Sequence, residues 1–326
     1  MPGRPIRCRG GRVLAAAAAA ALAAGCASLP YDRVDGIECE KTLRLKPDEP
    51  QFVRGRPIAV LDAADWIWPG SLLGKLLLWD VRIDSHEISP ETEERLRRYL
   101  AFNGLDNVKV RVNAYSVGDE WRRTIRNRAV GAGWRYTFGI LAWVGYTILP
   151  GRLFGGDNYN PYSNTVSLYS DIPAVALHEG AHAKDLARTD LKGTYSFLYL
   201  LPLVPLHHER LATRDALSYL RAEAPAELQR QGYHLLYPAY GTYVGGEIGA
   251  FTGAALPVTI AAVIAGHVAG RVRASQLPET GDGPAAPPAD APDAAPAPRS
   301  AETEPAEATA ETAPTGGDPP APESAP

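Results

Sequence analysis

Apolar and polar residues are arranged in short blocks that predict a helix-rich protein with few strands. Ile58–Leu61 is a short apolar run of the kind that forms a buried strand, whereas Val108–Tyr115 alternates apolar and polar residues as a half-buried strand does. A helix is predicted from Ser89 to about Phe102, because a hydroxyl cap is followed by proline and then by acids in the first turn.

The following segments continue this mixture of helices and strands. Gly118–Val130 is predicted to be a helix with its four arginines on solvated positions, and a loop rich in Gly, Asn and Pro is predicted over Gly155–Ser163. Thr165–Tyr169 is β-branched and aromatic, as strands are. Asp171 can cap the helix that follows, with Pro173 in its first turn.

Three longer apolar stretches could pack inside the domain or meet a membrane. Residues 129–149 contain Arg135, which argues against a lipid-facing span, and residues 195–206 are interrupted by two prolines. Residues 248–270 contain no Asp, Glu, Lys or Arg and are about as long as a bilayer requires. Two interpretations remain open for this segment: membrane insertion or close membrane association, and a packed helix hairpin split at Pro257. The glycines that recur every fourth residue there, a spacing that lets helices approach closely, are Gly245, Gly249 and Gly253, and then Gly266 and Gly270.

The amino terminus has the composition of an export signal. Residues 1–25 carry four arginines and no acid, and an apolar run follows the arginines. The tetrapeptide that ends at Cys26 resembles the bacterial lipobox, although its usual leucine stands one position early at Leu22. This resemblance implies that Cys26 is lipidated and begins the mature chain. The alternative is an ordinary signal cleaved after Ala-x-Ala, which would leave Cys26 a free thiol or a partner for Cys39.

The other end of the chain predicts no packed structure. Residues 278–326 contain no aromatic residue and no Leu, Ile, Val or Met, so they have little to bury and are predicted to be disordered. The domain expected to fold is therefore residues 26–277, whose net charge of +1 gives no support to a nucleic-acid partner. Three cysteines are also too few for a disulfide scaffold in a chain of 326 residues.

The helix predicted after Thr165–Tyr169 contains His178-Glu179-Gly180-Ala181-His182, an H-E-x-x-H sequence. Positions four apart lie about 40° from each other round a helix, so both imidazoles leave the same face. Two neutral imidazoles at this spacing suit one Zn²⁺ ion. Glu179 can reach a water on the metal without being a ligand, which predicts that it acts as a general base.

With this motif the sequence resembles the zincin metallopeptidases, over roughly residues 155–222. In that fold an edge strand of a mixed sheet precedes the H-E-x-x-H helix and aligns the peptide substrate. The resemblance implies an α+β, helix-rich, zincin-like fold with a small mixed sheet, in which Thr165–Tyr169 is that edge strand.

The subgroup of zincin follows from the third protein ligand. Arg188 stands where a metzincin has histidine, and Ser196 where an aspzincin has its aspartate. Gluzincins take a glutamate from a later helix, and Glu209-x-x-Ala212 is similar to their E-x-x-A-D pattern. The resemblance therefore implies Glu209 as the third zinc ligand.

The helix that would carry this ligand has a stripe of small and apolar residues suited to close packing on the metal-bearing helix. Thr213 occupies the position of the acid that normally orients the first histidine, so Asp215 or Asp185 is expected to take that role. The residues that share the stripe are Glu209, Ala212, Thr213, Ala216 and Leu220.

These residues imply a zinc-dependent endopeptidase. His178, His182 and Glu209 would bind Zn²⁺ and leave a fourth position for water, and Glu179 would accept the proton of that water during attack on a peptide carbonyl. The expected substrate is a polypeptide in the bacterial cell envelope. A lipid on Cys26 would hold the protein facing the periplasm, with the outer membrane slightly favoured over the inner.

A second hypothesis is a non-enzymatic, membrane-associated lipoprotein scaffold. Its glycine-spaced helices would mediate oligomerisation or insertion, and its metal site would be incidental or structural. A structural zinc would need a fourth protein ligand such as His208. His234, Tyr237 and Tyr240 could polarise a carbonyl oxygen, although isolated residues of these types are more often part of a core.

Overall fold

A computed structural model describes residues 31–32, 42–56, 58–148 and 156–278. The predicted export signal at residues 1–25, the predicted lipidation site Cys26 and the predicted disordered tail beyond Pro278 lie outside the described residues.

The described chain is helix-rich with a small mixed sheet, as predicted. The strands are β1 (Phe52–Arg54), β2 (Lys109–Val112), β3 (Asn158–Asn160) and β4 (Thr165–Leu168). The helices before β3 are α1 (Ala59–Trp66), α2 (Pro69–Leu78), α3 (Pro90–Phe102), α4 (Val117–Arg126), α5 (Ala132–Arg135) and α6 (Phe138–Trp143), which continues into a π-helical turn (Val144–Ile148). The later helices are α7 (Pro173–Ala187), α8 (Lys192–Leu198), α9 (Val204–Glu223), α10 (Ala226–Thr252) and α11 (Ala255–Ala274).

The sheet has the strand order β1-β2-β4-β3, with three parallel strands and an antiparallel β3. The prediction that Thr165–Tyr169 is the edge strand is wrong, because β3 pairs outside β4. The edge strand β3 lies instead within residues 155–163, for which the sequence predicts a loop. A strand of three residues is too short to show an alternation of apolar and polar residues, so the sequence pattern does not reveal it.

Two further strand predictions need correction. Ile58–Leu61 is not a strand but the start of α1, where the Asp62 carboxylate accepts the Ile58 N–H at 2.9 Å. The segment predicted to be a half-buried strand forms β2, all four residues of which are buried. Its polar face is covered because Arg111 pairs with Glu120 at 2.7 Å.

Helix α3 begins and ends as predicted, and the Ser89 side chain accepts the Thr92 N–H at 3.3 Å. Asp171, however, does not cap α7, whose N-cap residue is Ile172. Its carboxylate instead accepts hydrogen bonds from the Ser89 N–H at 2.9 Å and from the Thr92 hydroxyl at 2.6 Å. Asp171 therefore joins the start of α3 to the chain segment that leads into α7.

The arginines of α4 were predicted to be solvated, and one of them is buried. Arg123 donates to the Glu49 carboxylate at 2.5 Å and to the Ser163 carbonyl at 3.1 Å. The ion pair with Glu49 offsets the cost of removing the Arg123 guanidinium from water. The helical pattern of the sequence does not show this partner, so it does not predict that Arg123 is buried.

Helix α7 lies at the centre of the core, against α3, α9 and α10. Gly180 allows the approach of α3, because a Cβ there would lie 2.9 Å from the Tyr99 ring and 3.0 Å from Leu96 Cδ1. The small residue inside the H-E-x-x-H sequence therefore has a packing reason.

Helices α10 and α11 form an antiparallel hairpin that turns at Gly253, where φ is +67°, rather than at Pro257. The helices approach closely where Gly245 and Gly249 face α11 and where Gly266 and Gly270 face α10. Among the described residues, Ala255–Ala274 is the one helix long and apolar enough to cross a membrane, with a mean hydropathy of 1.5 and 28% of it buried. The described part of the predicted apolar stretch, residues 129–148, forms no single helix, and Arg135 within it is buried and donates to the Ile125 carbonyl at 2.5 Å.

Candidate metal centre

Three predicted ligands come together at the contact between α7 and α9. His178 Nε2 lies 3.0 Å from Glu209 Oε2, and His182 Nε2 lies 3.5 Å from Glu209 Oε1. The two Nε2 atoms are 3.1 Å apart, and the imidazole planes are perpendicular. In the described part of the chain, this is the one group of His, Cys, Asp or Glu residues whose ligand atoms all lie within 4.8 Å of one another.

The fold positions these groups through the stripe of small residues on α9. Ala212, Thr213 and Ala216 are buried against the core, and Glu209, on the same stripe, is 2% exposed. The small side chains let α9 lie close to α7, so that a carboxylate on one helix reaches two imidazoles on the other.

The donor atoms fit a zinc ion. Two ligands about 2.1 Å from a metal and arranged tetrahedrally lie about 3.4 Å apart, and the three separations here are close to that value. Two imidazoles with one carboxylate also form a ligand set that occurs in catalytic zinc sites. A buried carboxylate that faces two histidines and few other donors has its charge compensated once a divalent cation is bound.

The electrostatics of the group are strongly coupled. Burial alone would raise the pKa of Glu209, but the imidazoles of His182 and His178 hold it well below its usual range. Burial alone would lower the pKa of His182, but the Glu209 carboxylate raises it to about 9. The site therefore concentrates opposite charges in a space from which water is largely excluded.

Glu179 lies beside this group and faces a cavity of about 530 Å³ that also reaches His182 and Glu209. Its side chain is almost buried, and burial raises its pKa while the neighbouring histidines oppose that shift. The backbone N–H of Tyr159, on the edge strand β3, also interacts with this carboxylate. The residue predicted to be the general base is thus held between the edge strand and the ligand group.

Aromatic residues form much of the cavity wall, as is common in ligand-binding sites. The sequence pattern does not identify these aromatic residues as part of a site. Tyr195 lies on α8 and Tyr199 directly follows it, and both belong to a stretch whose pattern indicates only apolar character. The aromatic lining includes Phe138, Tyr146, Tyr159, Tyr195, Tyr199 and Tyr243.

Three of these tyrosines interact with the acidic groups of the site. The Tyr199 hydroxyl donates to Glu209 Oε1, the same oxygen that lies 3.5 Å from His182 Nε2, and so helps to fix the carboxylate. The charge of Glu209 is the first cause of the raised pKa of Tyr243, and Glu179 adds to it. Burial, followed by the charges of Glu179 and Glu209, raises the pKa of Tyr146. All three phenols therefore stay protonated and can donate hydrogen bonds.

The residues expected to orient the histidines have other partners. Asp215 accepts hydrogen bonds from Tyr99 and Lys184, each at 2.6 Å, and Asp185 accepts one from Tyr195 at 2.6 Å. The hydroxyl of Thr213 lies 3.5 Å from His178 Nδ1, at the position where the sequence pattern would have an acid. Asp185 still lines the cavity and acts on His182 through its charge.

The remaining histidines and tyrosines considered from the sequence lie in three places. His208 lines the cavity, with its ring 4.4 Å from that of Tyr195, but it lies outside the group of three ligands. Tyr237 and Tyr240 are buried, and Tyr240 donates to the Leu206 carbonyl at 3.2 Å. His234 lines a different, smaller pocket near Trp79.

No protein-family model, characterised protein or solved structure matches this chain.

Proposed function

We propose that this protein is a zinc-dependent endopeptidase of the gluzincin type. The observation that carries the proposal is the convergence of His178, His182 and Glu209 within 4.8 Å, beside a cavity that also contains Glu179. These are two imidazoles from one helix, a carboxylate from the next and a second carboxylate in the position of a base, which together match what metal-assisted hydrolysis requires.

In the proposed mechanism His178, His182 and Glu209 hold the metal, and Tyr199 holds Glu209 in place. When bound, a zinc ion supplies a Lewis acid that polarises a carbonyl oxygen and lowers the pKa of a water to about 7. Glu179 accepts a proton from the attacking water at its carboxylate and delivers it to the leaving amine nitrogen. Its partly desolvated carboxylate, with a raised pKa, suits this transfer of a proton in both directions.

The cavity suggests how a substrate is oriented. Asn158 and Tyr159 of β3 line the cavity, and β3 is an edge strand. An extended peptide can add to such an edge through backbone hydrogen bonds, which selects flexible or unfolded chains. The hydroxyls of Tyr243 and Tyr146 can donate to the oxygen on which negative charge develops.

The location of the protein rests on the sequence. A lipid on Cys26 would tether the domain to the cell envelope on the periplasmic side, where polypeptide substrates are available. A scaffold with an incidental site binds no stoichiometric metal, and a scaffold with a structural zinc binds metal without cleaving peptides, so metal content and cleavage together separate the two functions.

The decisive experiment compares the wild-type protein with Glu179→Gln, and with Glu91→Gln as an exposed control acid on α3. We expect one zinc ion per chain in all three proteins by elemental analysis. Cleavage of fluorescein-labelled casein should fall by about 10²–10⁴-fold in Glu179→Gln only, since this is the usual contribution of a general base. Equal cleavage by Glu179→Gln and wild type would refute the assigned base, and a protein that binds no zinc would refute the proposal.

A further inference from the structure

The outward face of α11 is apolar along the whole length of the helix. Five side chains at intervals of four residues, from Leu256 to Val272, are between 40% and 60% exposed. No Asp, Glu, Lys or Arg occurs between Ile248 and Gly270. A continuous apolar surface of this kind on a folded domain marks an interface rather than an ordinary solvated face. The five side chains are Leu256, Ile260, Ile264, Val268 and Val272.

The opposite face of α11 is already packed. Ala255, Thr259 and Ala262 meet glycines of α10 at backbone distance, and Gly266 and Gly270 meet the backbone of α10 in turn. The backbone of α11 is also hydrogen bonded within the helix, so a contact with lipid would leave no peptide group unsatisfied. The hairpin is therefore internally complete, and its outer side chains are available to a partner.

The chemistry of the two ends of this face favours a lipid surface. Phe251 is exposed where the hairpin turns, and Trp79 is exposed at the other end, where it stacks on His267 at 3.9 Å. Arg271 and Arg273 follow the uncharged stretch and are exposed. An apolar helix face with aromatic residues at its ends and arginines beside it is the pattern of helices that lie in the headgroup region of a bilayer.

The hairpin partner decides between lying on a bilayer and crossing it. Helix α10 runs beside the whole of α11 and also packs on α7 and α9 of the core. If α11 crossed the bilayer, α10 and the helices packed on it, including α9 with Arg210 and Arg214, would have to enter the hydrocarbon, which is costly for charged groups. We propose that the outer face of α11 lies flat on a phospholipid bilayer, with Ile264 deepest and Leu256 and Val272, each about 80° away round the helix, at shallower depth.

This orientation brings the cavity close to the lipid surface. Leu200, Leu201 and Leu203 are exposed beside the cavity, and the Leu203 N–H donates to Glu247 of α10 at 2.7 Å, near the hairpin turn. If the proposed peptidase activity is correct, its substrates are polypeptide segments that emerge next to a membrane.

The test uses the full chain with its three cysteines replaced by serine, so that no native thiol is labelled and no lipid is attached at Cys26. Single cysteines carrying the fluorophore NBD are placed on the α11 face or, as controls, at solvated arginines of α3 and α9. The α11 positions are Leu256→Cys, Ile264→Cys and Val272→Cys, and the controls are the exposed positions Arg98→Cys and Arg221→Cys. Vesicles of phosphatidylethanolamine and phosphatidylglycerol are added with or without doxyl-labelled lipid.

We expect a blue shift and quenching by doxyl lipid at all three α11 positions, strongest at Ile264→Cys, and at neither control. Each labelled protein is first checked for zinc content and far-ultraviolet circular dichroism, so that a misfolded variant is recognised. Quenching only at Leu256→Cys would mean that just the hairpin turn inserts. Quenching at no α11 position, or a blue shift without vesicles from association of two copies, would likewise overturn the proposal. Zinc binding and casein cleavage are measured without vesicles. A failure of the peptidase proposal can therefore be told apart from a failure of the membrane proposal.

Discussion

The two adjacent glycines Gly245 and Gly246 should respond in opposite ways to the same substitution. Both lie inside α10, but a Cβ on Gly245 would lie 2.3 Å from Thr259 Cα and 2.9 Å from Thr259 N. A Cβ on Gly246 would meet nothing within 4 Å. Because the obstacle at Gly245 is backbone, it cannot rotate away as a flexible side chain could.

The magnitudes follow from this geometry. Alanine is favoured over glycine inside a helix by about 1 kcal/mol, so Gly246→Ala should stabilise the protein by about that amount. Gly245→Ala has the same gain in helix propensity but also forces α10 and α11 apart. Overpacking of this kind costs about 3 kcal/mol, at the upper end of its usual range. The two variants should therefore differ by about 3 kcal/mol.

The assay is thermal and urea unfolding of both variants and wild type in the absence of lipid. For a domain of this size, 1 kcal/mol corresponds to about 2–4 °C in Tm, so the variants should differ by about 6–12 °C, with wild type between them. If both substitutions raise Tm equally, α10 and α11 do not pack as closely as described. The inner face of α11 would then not be in contact with the backbone of α10.

Three further substitutions test the metal site and the ion pair between Glu49 and Arg123. Glu209→Gln should weaken zinc binding by about 10²-fold in a chelator competition assay, while Glu223→Gln at the end of the same helix should have no effect. The magnitude is taken from structural zinc sites with four protein ligands, whose binding energy of about 10–16 kcal/mol gives about a quarter of that for one ligand. Tyr199→Phe, which removes the hydrogen bond to Glu209, should weaken zinc binding by about 10–100-fold. Burial alone would raise the pKa of Glu49, but hydrogen bonding and Arg123 lower it from 4.5 to about 2. The ionised Glu49 carboxylate therefore adds stability above pH 4.5, and this stability is lost as the pH falls toward 2. Glu49→Gln should reduce, by about 3 kcal/mol, the difference in the free energy of unfolding between these two pH ranges, as measured by urea unfolding.

Each of these expectations has a result that would contradict it. Equal zinc affinity for Glu209→Gln and Glu223→Gln would remove Glu209 from the ligand set. An unchanged affinity for Tyr199→Phe would show that this hydroxyl does not position the carboxylate. An acid-unfolding profile of Glu49→Gln parallel to that of wild type would mean that the ion pair with Arg123 is not formed.

Much of the site is encoded in local sequence. The i,i+4 spacing of His178 and His182 places both imidazoles on one face of any helix that contains them. The stripe that begins at Glu209 predicts which face of α9 is buried, and all five of its members are buried. The start of α3 at Ser89 is also local, because its cap and its proline act within one turn. Such features depend only on neighbours along the chain.

Other features required the tertiary structure. A three-residue strand such as β3 has no pattern of its own and exists because β4 offers it a partner. Arg123 is buried because Glu49, distant in sequence, compensates its charge. Tyr199 reaches Glu209 only through the turn between α8 and α9. The sequence by itself therefore determined the periodic faces of helices and the spacing of the two histidines, since these follow from the geometry of a single helix. Only the packing of one element on another decided which strand forms the edge, which charges are buried and which hydroxyls surround the ligands, because those depend on contacts between residues far apart in the chain.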